Sequence, residues 1–426
     1  MAHLTLKQDY SGLIDRLNRF PQGAPPSDLL YKILKVLFNE KEASLVAHLP
    51  IKPFTAQKAS KIWKLNLHQT LKILDTLAGR AILLDIENQG EIWYTLPPPM
   101  AGFFEFSLMR IRDDIDQKYL AELFYQYLNV EEDFIKNLFT IGETRLGRTF
   151  VHEPVIPEKT SLHVLDFERA SEVIRNANHR GIGLCYCRHK MQHIQRVCDA
   201  PMEICMTFNN TAASLIRHGF AREVDSPEAL DLLQLAYDKH LVQFGENVQQ
   251  RVSFICNCCG CCCEALITQR RFGNLYPIHT TNFIPEITNE GCTGCGKCVD
   301  ICPVEAMILI SANQPGKKHL KRAKLEADSC LGCGICVSVC PKNAISLKSR
   351  SERVITPLHT THRVVLMAIE RGKLAELIFD YQAISNHRAM AAILSVILNL
   401  PPLERFLASK QFKSRYLLKL LERLRV

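Results

Sequence analysis

Two cysteine runs constrain this chain more than anything else in it. The first reads Cys292-x-x-Cys295-x-x-Cys298-x-x-x-Cys302-Pro303, and the second Cys330-x-x-Cys333-x-x-Cys336-x-x-x-Cys340-Pro341. Three cysteines at two-residue intervals wrap a tight loop around one face of a cube, which makes such a run a strong iron–sulfur signal. Gly294, Gly296, Gly332 and Gly334 let the backbone turn close to the cluster sulfides. The fourth cysteine of each run is followed by proline and lies too far along to close its own cluster comfortably. The competing reading is zinc. Zinc usually takes paired Cys-x-x-Cys knuckles, not an unbroken triple with a Cys-Pro. Each run leads into a short apolar segment, Ala306 to Ile310 and Ala344 to Leu347, and the two are expected to form a small sheet under the clusters.

Residues 286–349 resemble the bacterial two-cluster ferredoxin domain. In such domains the fourth cysteine of each run ligates the other cluster. The resemblance therefore implies one [4Fe–4S] centre on Cys292, Cys295, Cys298 and Cys340, and a second on Cys330, Cys333, Cys336 and Cys302. The stretch from Ser311 to Lys324 departs from the compact pattern. It is polar and basic (Lys317, Lys318, His319, Lys321, Arg322, Lys324) and is expected to be a surface loop and hairpin arm.

The chain has 426 residues, which predicts two to four domains. Its 47% hydrophobic and 23% charged residues mark it as globular. Met1-Ala2-His3 leads into no apolar signal segment, and the most apolar run, Ala389 to Leu398, is too short to span a bilayer. Eighteen cysteines without a secretion signal point to metal ligation rather than disulfides, and to a reducing, anoxic cytoplasm. Residues 341–426 hold fifteen Lys and Arg against six Asp and Glu, an excess larger than the net charge of +8 for the whole chain. The basic character belongs to the C-terminal tail.

Within residues 1–100, Ser27-Asp28 caps a helix carrying Leu29, Leu30, Ile33, Leu34, Leu37 and Phe38 on a 3.6-residue stripe. Thr55 caps a second helix, Ala56 to Leu65. Asn66 caps a third, Leu67 to Ala78, which Gly79 closes. Ile82 to Ile86 and Ile92 to Leu96 flank Glu87-Asn88-Gln89-Gly90 as a hairpin. Three helices and a two-stranded wing resemble the winged helix-turn-helix of bacterial regulators. The outward side of the third helix offers His68, Gln69, Lys72 and Asp75, and residues 27–97 hold nine Lys and Arg against seven Asp and Glu. Phosphate neutralisation would be feeble, and the Lys58, Lys61, Lys64 stripe reads as a solvated face, so a docking or scaffold role is preferred over DNA binding. After Pro97-Pro98-Pro99, a helical linker region (101–150) begins with Phe103, Phe104, Phe106, Leu108 and Met109, read as core. Gly142-x-x-x-x-Gly147-Arg148 lacks the Lys-Ser/Thr of a phosphate loop and reads as an ordinary loop.

Residues 151–285 form a cysteine-rich α+β region. Leu162 to Leu165 is expected to be a strand, and Asp166 to cap a helix through Asn178. A second helix is expected from Ser226, as cap, to about His240, with Pro227 at its first position. Cys185, Cys187, Cys198 and Cys205 are expected to provide one ligand set. Val252 to Ile255 then delivers Cys256, Cys258, Cys259, Cys261, Cys262 and Cys263, part of which provides another set or completes the first. Thiolates this crowded repel one another and oxidise unless metal holds them. A short peptide cannot aim six neighbouring sulfurs at one cube, so some must face elsewhere. Arg188, His189 and His193 are candidates for nearby charge or ligation. One or two further iron–sulfur centres are expected here, with zinc as the alternative.

The sequence as a whole resembles the 4Fe–4S dicluster-domain proteins of anaerobic bacteria. The resemblance rests on the winged-helix-like start, Cys185-x-Cys187-Arg188-His189, Cys198-x-x-Pro201-x-x-x-Cys205, the Cys256–Cys263 run and the ferredoxin pair. Cys258-Cys259-Gly260 is also similar to the CCG domains of heterodisulfide reductases, but their long-range spacing is absent. The tail, 350–426, is expected to be helical from Thr361 to about Asp380, from Ala389 to Leu398 and from Lys410 to Arg425. The last of these is basic and amphipathic, able to pack on its own protein, dock an acidic partner or lie on an anionic membrane. The fold class expected is multi-domain α+β: winged helix, cysteine-rich α+β domain, two-cluster ferredoxin domain and helical tail. The function implied is electron transfer, as a carrier or as the electron-input subunit of an anaerobic oxidoreductase, with a redox protein as partner. A redox-sensing regulator using the winged helix is the alternative. No Rossmann fingerprint, flavin motif or nucleophile triad is visible.

Overall fold

The structure, a computed structural model, describes residues 2–156, 164–288, 290–312, 320–380, 389–392 and 394–395. It mixes helix and sheet, and its chain path separates into two compact units. The first unit holds residues 1–144, 210–222 and 359–426. The second holds 145–209 and 223–358.

In the first unit, α1 (Ala2–Arg19) packs on α3 (Glu40–Ala47), where buried Arg16 donates through Nε to the Leu49 carbonyl at 3.0 Å. α2 (Asp28–Leu37) begins where Ser27 accepts from the Leu30 N–H, and it buries Leu30, Ile33, Leu34 and Leu37. The expected three helices are joined by α1 and by a fifth, α3. Its signal was a capping box: Asn39 accepts from the Glu42 N–H at 2.9 Å, and the Glu42 carboxylate accepts from the Asn39 N–H at 3.0 Å. β1 (Phe54–Thr55) precedes α4 (Ala56–Trp63), capped by Thr55, and α5 (Leu67–Ala78), capped by Asn66. β2 (Leu84–Asn88) and β3 (Glu91–Thr95) complete a sheet of order β1-β3-β2. Gly79 keeps right-handed φ (−60°), so it does not close α5 in the expected way. The left-handed residue is Ala81 (φ 53°).

The aromatic segment is core, as its composition implied. Phe103, Phe104, Phe106, Leu108 and Met109 are buried, and the rings of Phe103, Phe104 and Phe124 pack at centroid distances of 4.9 and 5.0 Å. The helical stretch beyond it is broken into α6 (Gln117–Tyr125), a wide turn over Gln126–Val130, and α7 (Asp133–Thr140).

Helix Asn209–Arg217 supplies Ser214 and Arg217, which with His218 surround buried Asp85 on β2. Ser214 Oγ donates at 2.6 Å and His218 Nε2 lies at 3.1 Å. Burial alone would raise this carboxyl. Hydrogen bonds from His218, Ser214 and Arg217 outweigh burial and hold it at about 2, against the ordinary 3.8. A depressed carboxyl stabilises the fold above its unfolded value and ceases to do so as pH falls through its folded value. Asp85→Asn should therefore lower stability by about 2 kcal/mol at neutral pH. The deficit should vanish between pH 4 and 2, as read by chemical denaturation.

The second unit is built on an antiparallel sheet. β4 (Gly147–Thr149), β5 (Arg180–Leu184), β6 (Glu203–Phe208), β7 (Arg222–Glu223), β8 (Val242–Glu246) and β9 (Phe254–Cys258) lie in the order β4-β8-β9-β6-β5-β7. α8 (Ala170–Asn176) and α9 (Ser226–Asp238) cover it, packing Ala170, Ile174, Ala229 and Leu233 on Ile182, Met206, Phe208 and Ile255.

Several local expectations change here. Gly147 lies in a strand because its missing Cβ makes room for the Phe244 ring. Val164 and Leu165 are not strand, and the segment they share with Leu162 and His163 lies partly outside the described residues. Asp166 opens a single 3-10 turn, and the helix follows at Ala170. The cap of α9 is Asp225, whose carboxylate accepts from the Glu228 N–H, with Ser226 already inside the helix.

Around the cysteine runs, β10 (Phe283–Ile287) pairs with β13 (Ile345–Ser349), and β11 (Met307–Ser311) with β12 (Lys321–Leu325). The expected single sheet is thus two separate two-stranded sheets, because each apolar segment finds a different partner. The β11–β12 arm is the expected hairpin arm, with residues 313–319 outside the described residues. In the tail, Thr360–Glu370 and Leu374–Ile378 are separate helices, divided at Gly372 (φ 64°). Residues 389–392 and 394–395 are helical, and the expected helix from Lys410 to Arg425 lies outside the described residues. No helix among the described residues is long and apolar enough to cross a membrane.

Candidate metal centres

The two ferredoxin-type runs fold as near copies. The third cysteine of each triple sits in one turn of helix, Lys297–Asp300 or Ile335–Ser338, entered through a left-handed glycine, Gly296 (φ 84°) or Gly334 (φ 90°). The Ala306 N–H donates to Cys302 Sγ at 3.2 Å, and the Ala344 N–H to Cys340 Sγ at 3.3 Å. The Ala323 N–H donates to Cys292 Sγ at 3.4 Å and the Gly332 N–H to Cys330 Sγ at 3.3 Å. Backbone donors aimed at sulfur favour the thiolate form, which is the form that ligates iron. At Gly332 a side chain is excluded outright: φ is 70°, and a Cβ would fall 2.1 Å from the Phe283 carbonyl oxygen.

The fourth cysteine of each run lies with the other triple. One cavity is lined by Cys292, Cys295, Cys298 and Cys340 together. Burial raises the Cys298 thiol, and Cys292, Cys295 and Cys340 raise it further. Burial likewise lifts Cys330 to about 11 and Cys333 to about 12, and Cys302 adds to both. Buried thiols with only one another for company would stay protonated. Four thiols and convergent N–H donors per group are a donor set that fits a [4Fe–4S] cluster.

The two groups differ in surroundings. In the first, Cys295 is exposed, with Lys297 and Lys342 exposed on its rim. In the second, Cys330 and Cys336 are buried, the Cys333 carbonyl accepts from the His152 N–H at 2.9 Å, and Gly334 packs against Val155 and Leu347.

The ten central cysteines sort differently from the expectation. Cys205 leaves β6 beside Cys256 on β9, their sulfurs 3.7 Å apart. Cys185 caps α10 (Tyr186–His193), with Cys187 in its first turn. Cys263 is the N-cap residue of α11 (Glu264–Phe272), and Cys258 ends β9. Hydrogen bonds link Cys185, Cys187, Cys263, Cys258, Cys256 and Cys205 into a closed ring. Around it thiol properties alternate. Cys185 is lowered by Cys187 and Cys205, Cys256 by Cys205 and Cys258 (to about 6), and Cys263 by Cys187 and Cys258. The donors Cys187, Cys205 and Cys258 are correspondingly raised.

Cys198 does not join Cys185, Cys187 and Cys205. It stands with Cys259, Cys261 and Cys262, and the four sulfurs all lie within 4.8 Å of one another. The division runs through the vicinal pairs. Cys258 and Cys263 face the ring, while their neighbours Cys259 and Cys262 face the foursome, with the chain turning at 260–262 between them. Sequence spacing could not show this, since it depends on the path of the Gly260 turn.

Of the three flanking candidates, Arg188 bridges two cysteine-bearing segments through its side chain. It is fully buried and donates to the Pro201 carbonyl at 2.9 Å and the Asn257 carbonyl at 2.8 Å. Its Nε–H has no acceptor among the described residues. Burial opposes its charge, yet Cys185, Cys259, Cys258 and Cys205 raise its pKa overall. His189 and His193 pack on each other at 4.7 Å and neither falls in the four-sulfur group. Two residues carry no signal in the sequence: Lys190 and Glu264, a buried ion pair beside the cysteines. A Cβ on Gly260 would lie 2.5 Å from the Pro303 carbonyl oxygen, so the central turn rests directly on the residue after Cys302.

Residues 291–344 match the family model described as a 4Fe-4S dicluster domain. No curated protein and no solved structure matches the chain.

Proposed function

We propose that this protein is an iron–sulfur electron-transfer protein, a carrier or the electron-input subunit of an anaerobic oxidoreductase. The observation that carries the reading is the pair of cysteine quartets, each completed by the other run's Cys-Pro cysteine. Cys292, Cys295, Cys298 and Cys340 would hold one [4Fe–4S] cluster, and Cys330, Cys333, Cys336 and Cys302 the other. Bound clusters of this kind supply reversible one-electron chemistry.

The chain's own residues do the rest. Backbone N–H groups of Ala306, Ala323, Gly332 and Ala344 hold the thiolates in place. Met307, Ala323 and Ile345 form an apolar floor shared by Cys298 and Cys336, which keeps water from between the two groups. Lys297 and Lys342 on the exposed rim would meet an acidic redox protein and quicken its association. Gly260 against Pro303 joins the buried group to the central cysteines, which would carry electrons onward through at least one further metal centre. So many thiols require a reducing, anoxic cytoplasm.

The β1-α4-α5-β2-β3 path and the sheet order β1-β3-β2 support a winged helix for the N-terminal region. A docking role fits it better than DNA reading. The exposed face of α5 carries Lys72 as its only fixed cation, and Asp75 there accepts from Tyr94 Oη at 3.0 Å.

Protein purified without oxygen and then reduced should give [4Fe–4S] EPR signals showing magnetic interaction between two neighbouring centres. Tightly bound zinc in both quartets, without acid-labile sulfide, would end the reading.

A further inference from the structure

Ten thiols beside the ferredoxin-type runs invite one explanation, more iron–sulfur clusters. Sulfur spacing separates four of them from that explanation. Cys198 Sγ lies 3.5 Å from Cys259 Sγ and 3.8 Å from Cys262 Sγ, and Cys261 Sγ lies 3.7 Å from Cys262 Sγ. All four are mutually within 4.8 Å. A tetrahedral ion with metal–sulfur bonds of about 2.3 Å sets its four sulfurs about 3.8 Å apart. A cubane sets each thiolate outside its own iron and spreads the four much more widely. Neither ferredoxin-type quartet brings its sulfurs this close among the described residues.

We propose that Cys198, Cys259, Cys261 and Cys262 form a tetrathiolate site for a single tetrahedral divalent cation, zinc by its chemistry, distinct from every iron–sulfur centre of the chain. Binding converts four thiols to thiolates, and their protons leave to solvent. The two added negative charges lie on the turn that follows Asn257, whose carbonyl accepts from the buried Arg188 guanidinium at 2.8 Å.

The site also explains how an exposed segment is held. Gln195, Arg196, Val197 and Asp199 around Cys198 are all exposed, whereas Cys259 across the site packs on the buried Ile204, Ala236 and Leu241. A four-bond ion is a staple where apolar burial is lacking. Cys261, the exposed ligand, marks the side from which the ion enters.

The proposal does not rest on the electron-transfer reading, and the test keeps the two apart. The full chain is purified without oxygen as wild type, Cys198→Ser, Cys261→Ser and Cys187→Ser, and assayed for zinc, iron and acid-labile sulfide. Wild type should carry about one zinc per chain. Cys198→Ser and Cys261→Ser should lose it while iron and sulfide stay unchanged, and Cys187→Ser, on the six-thiol ring, should keep it. Wild type produced with cobalt in place of zinc should show the visible bands of tetrahedral cobalt thiolate, a reading that needs no variant to fold. Loss of iron and sulfide together in Cys198→Ser, or cobalt-grown wild type without those bands, overturns the proposal. Failure of the electron-transfer reading would instead appear as wild type lacking iron and sulfide altogether.

Discussion

Cys298→Ser should remove one [4Fe–4S] centre and leave its neighbour, so that iron attributable to the ferredoxin-type pair falls from about eight atoms to about four. Cys336→Ser should do the same to the other centre. The informative variant is Cys340→Ser. Cys340 belongs to the second run by sequence but lines the cavity of Cys292, Cys295 and Cys298. It should therefore reproduce the Cys298→Ser spectrum, not that of Cys336→Ser. All three should abolish the magnetic interaction, which needs both centres. The two centres differ in exposure, Cys295 open to solvent and Cys330 and Cys336 buried, so their signals should also differ in potential and remain distinguishable. Iron analysis with EPR after stepwise reduction reads every arm. If Cys340→Ser instead matches Cys336→Ser, each run closes its own cluster and the crossed arrangement is wrong.

The second large effect is expected at Arg188. This side chain is fully buried and bonds two carbonyls, Pro201 in the loop between Cys198 and Cys205, and Asn257 between Cys256 and Cys258. The groups that raise its pKa are the thiols of Cys185, Cys259, Cys258 and Cys205. A buried guanidinium facing neutral thiols would be costly, whereas the same group facing thiolates offsets their charge. Arg188→Met should therefore cost about 3–5 kcal/mol in unfolding free energy. It should also strip metal from the central cysteines while the ferredoxin-type signals persist. Arg188→Lys should recover only part of this, since one ammonium cannot reach both carbonyls with the fork of a guanidinium. Unchanged central metal content in Arg188→Met would show that the cation serves packing alone.

Much of the local structure was legible because it is written in short-range chemistry. Ser27, Thr55 and Asn66 cap the helices they were expected to cap, since a side-chain oxygen two or three residues from an orphan N–H needs no tertiary help. The triple spacing Cys-x-x-Cys-x-x-Cys is equally local, as is the match of residues 291–344 to the dicluster domain. Where two caps compete within a residue, as at Asp225 and Ser226, backbone geometry chose. α3 was overlooked because eight residues give little periodicity, although Asn39 and Glu42 announced it.

Partnership was not legible. Ala306 to Ile310 and Ala344 to Leu347 read alike as apolar segments, yet the first pairs with Lys321–Leu325 and the second with Phe283–Ile287. Cys198 reads as a companion of Cys185 and Cys187, yet it meets Cys259, Cys261 and Cys262. Sequence by itself determined that this chain gathers sulfur for metal, where the cluster-type runs lie, and which short segments are helices. Tertiary structure alone decided which sulfurs share a site. Ligation is a matter of a few ångströms between residues some sixty positions apart, and only the packed paths of β6, β9 and the Gly260 turn set those distances.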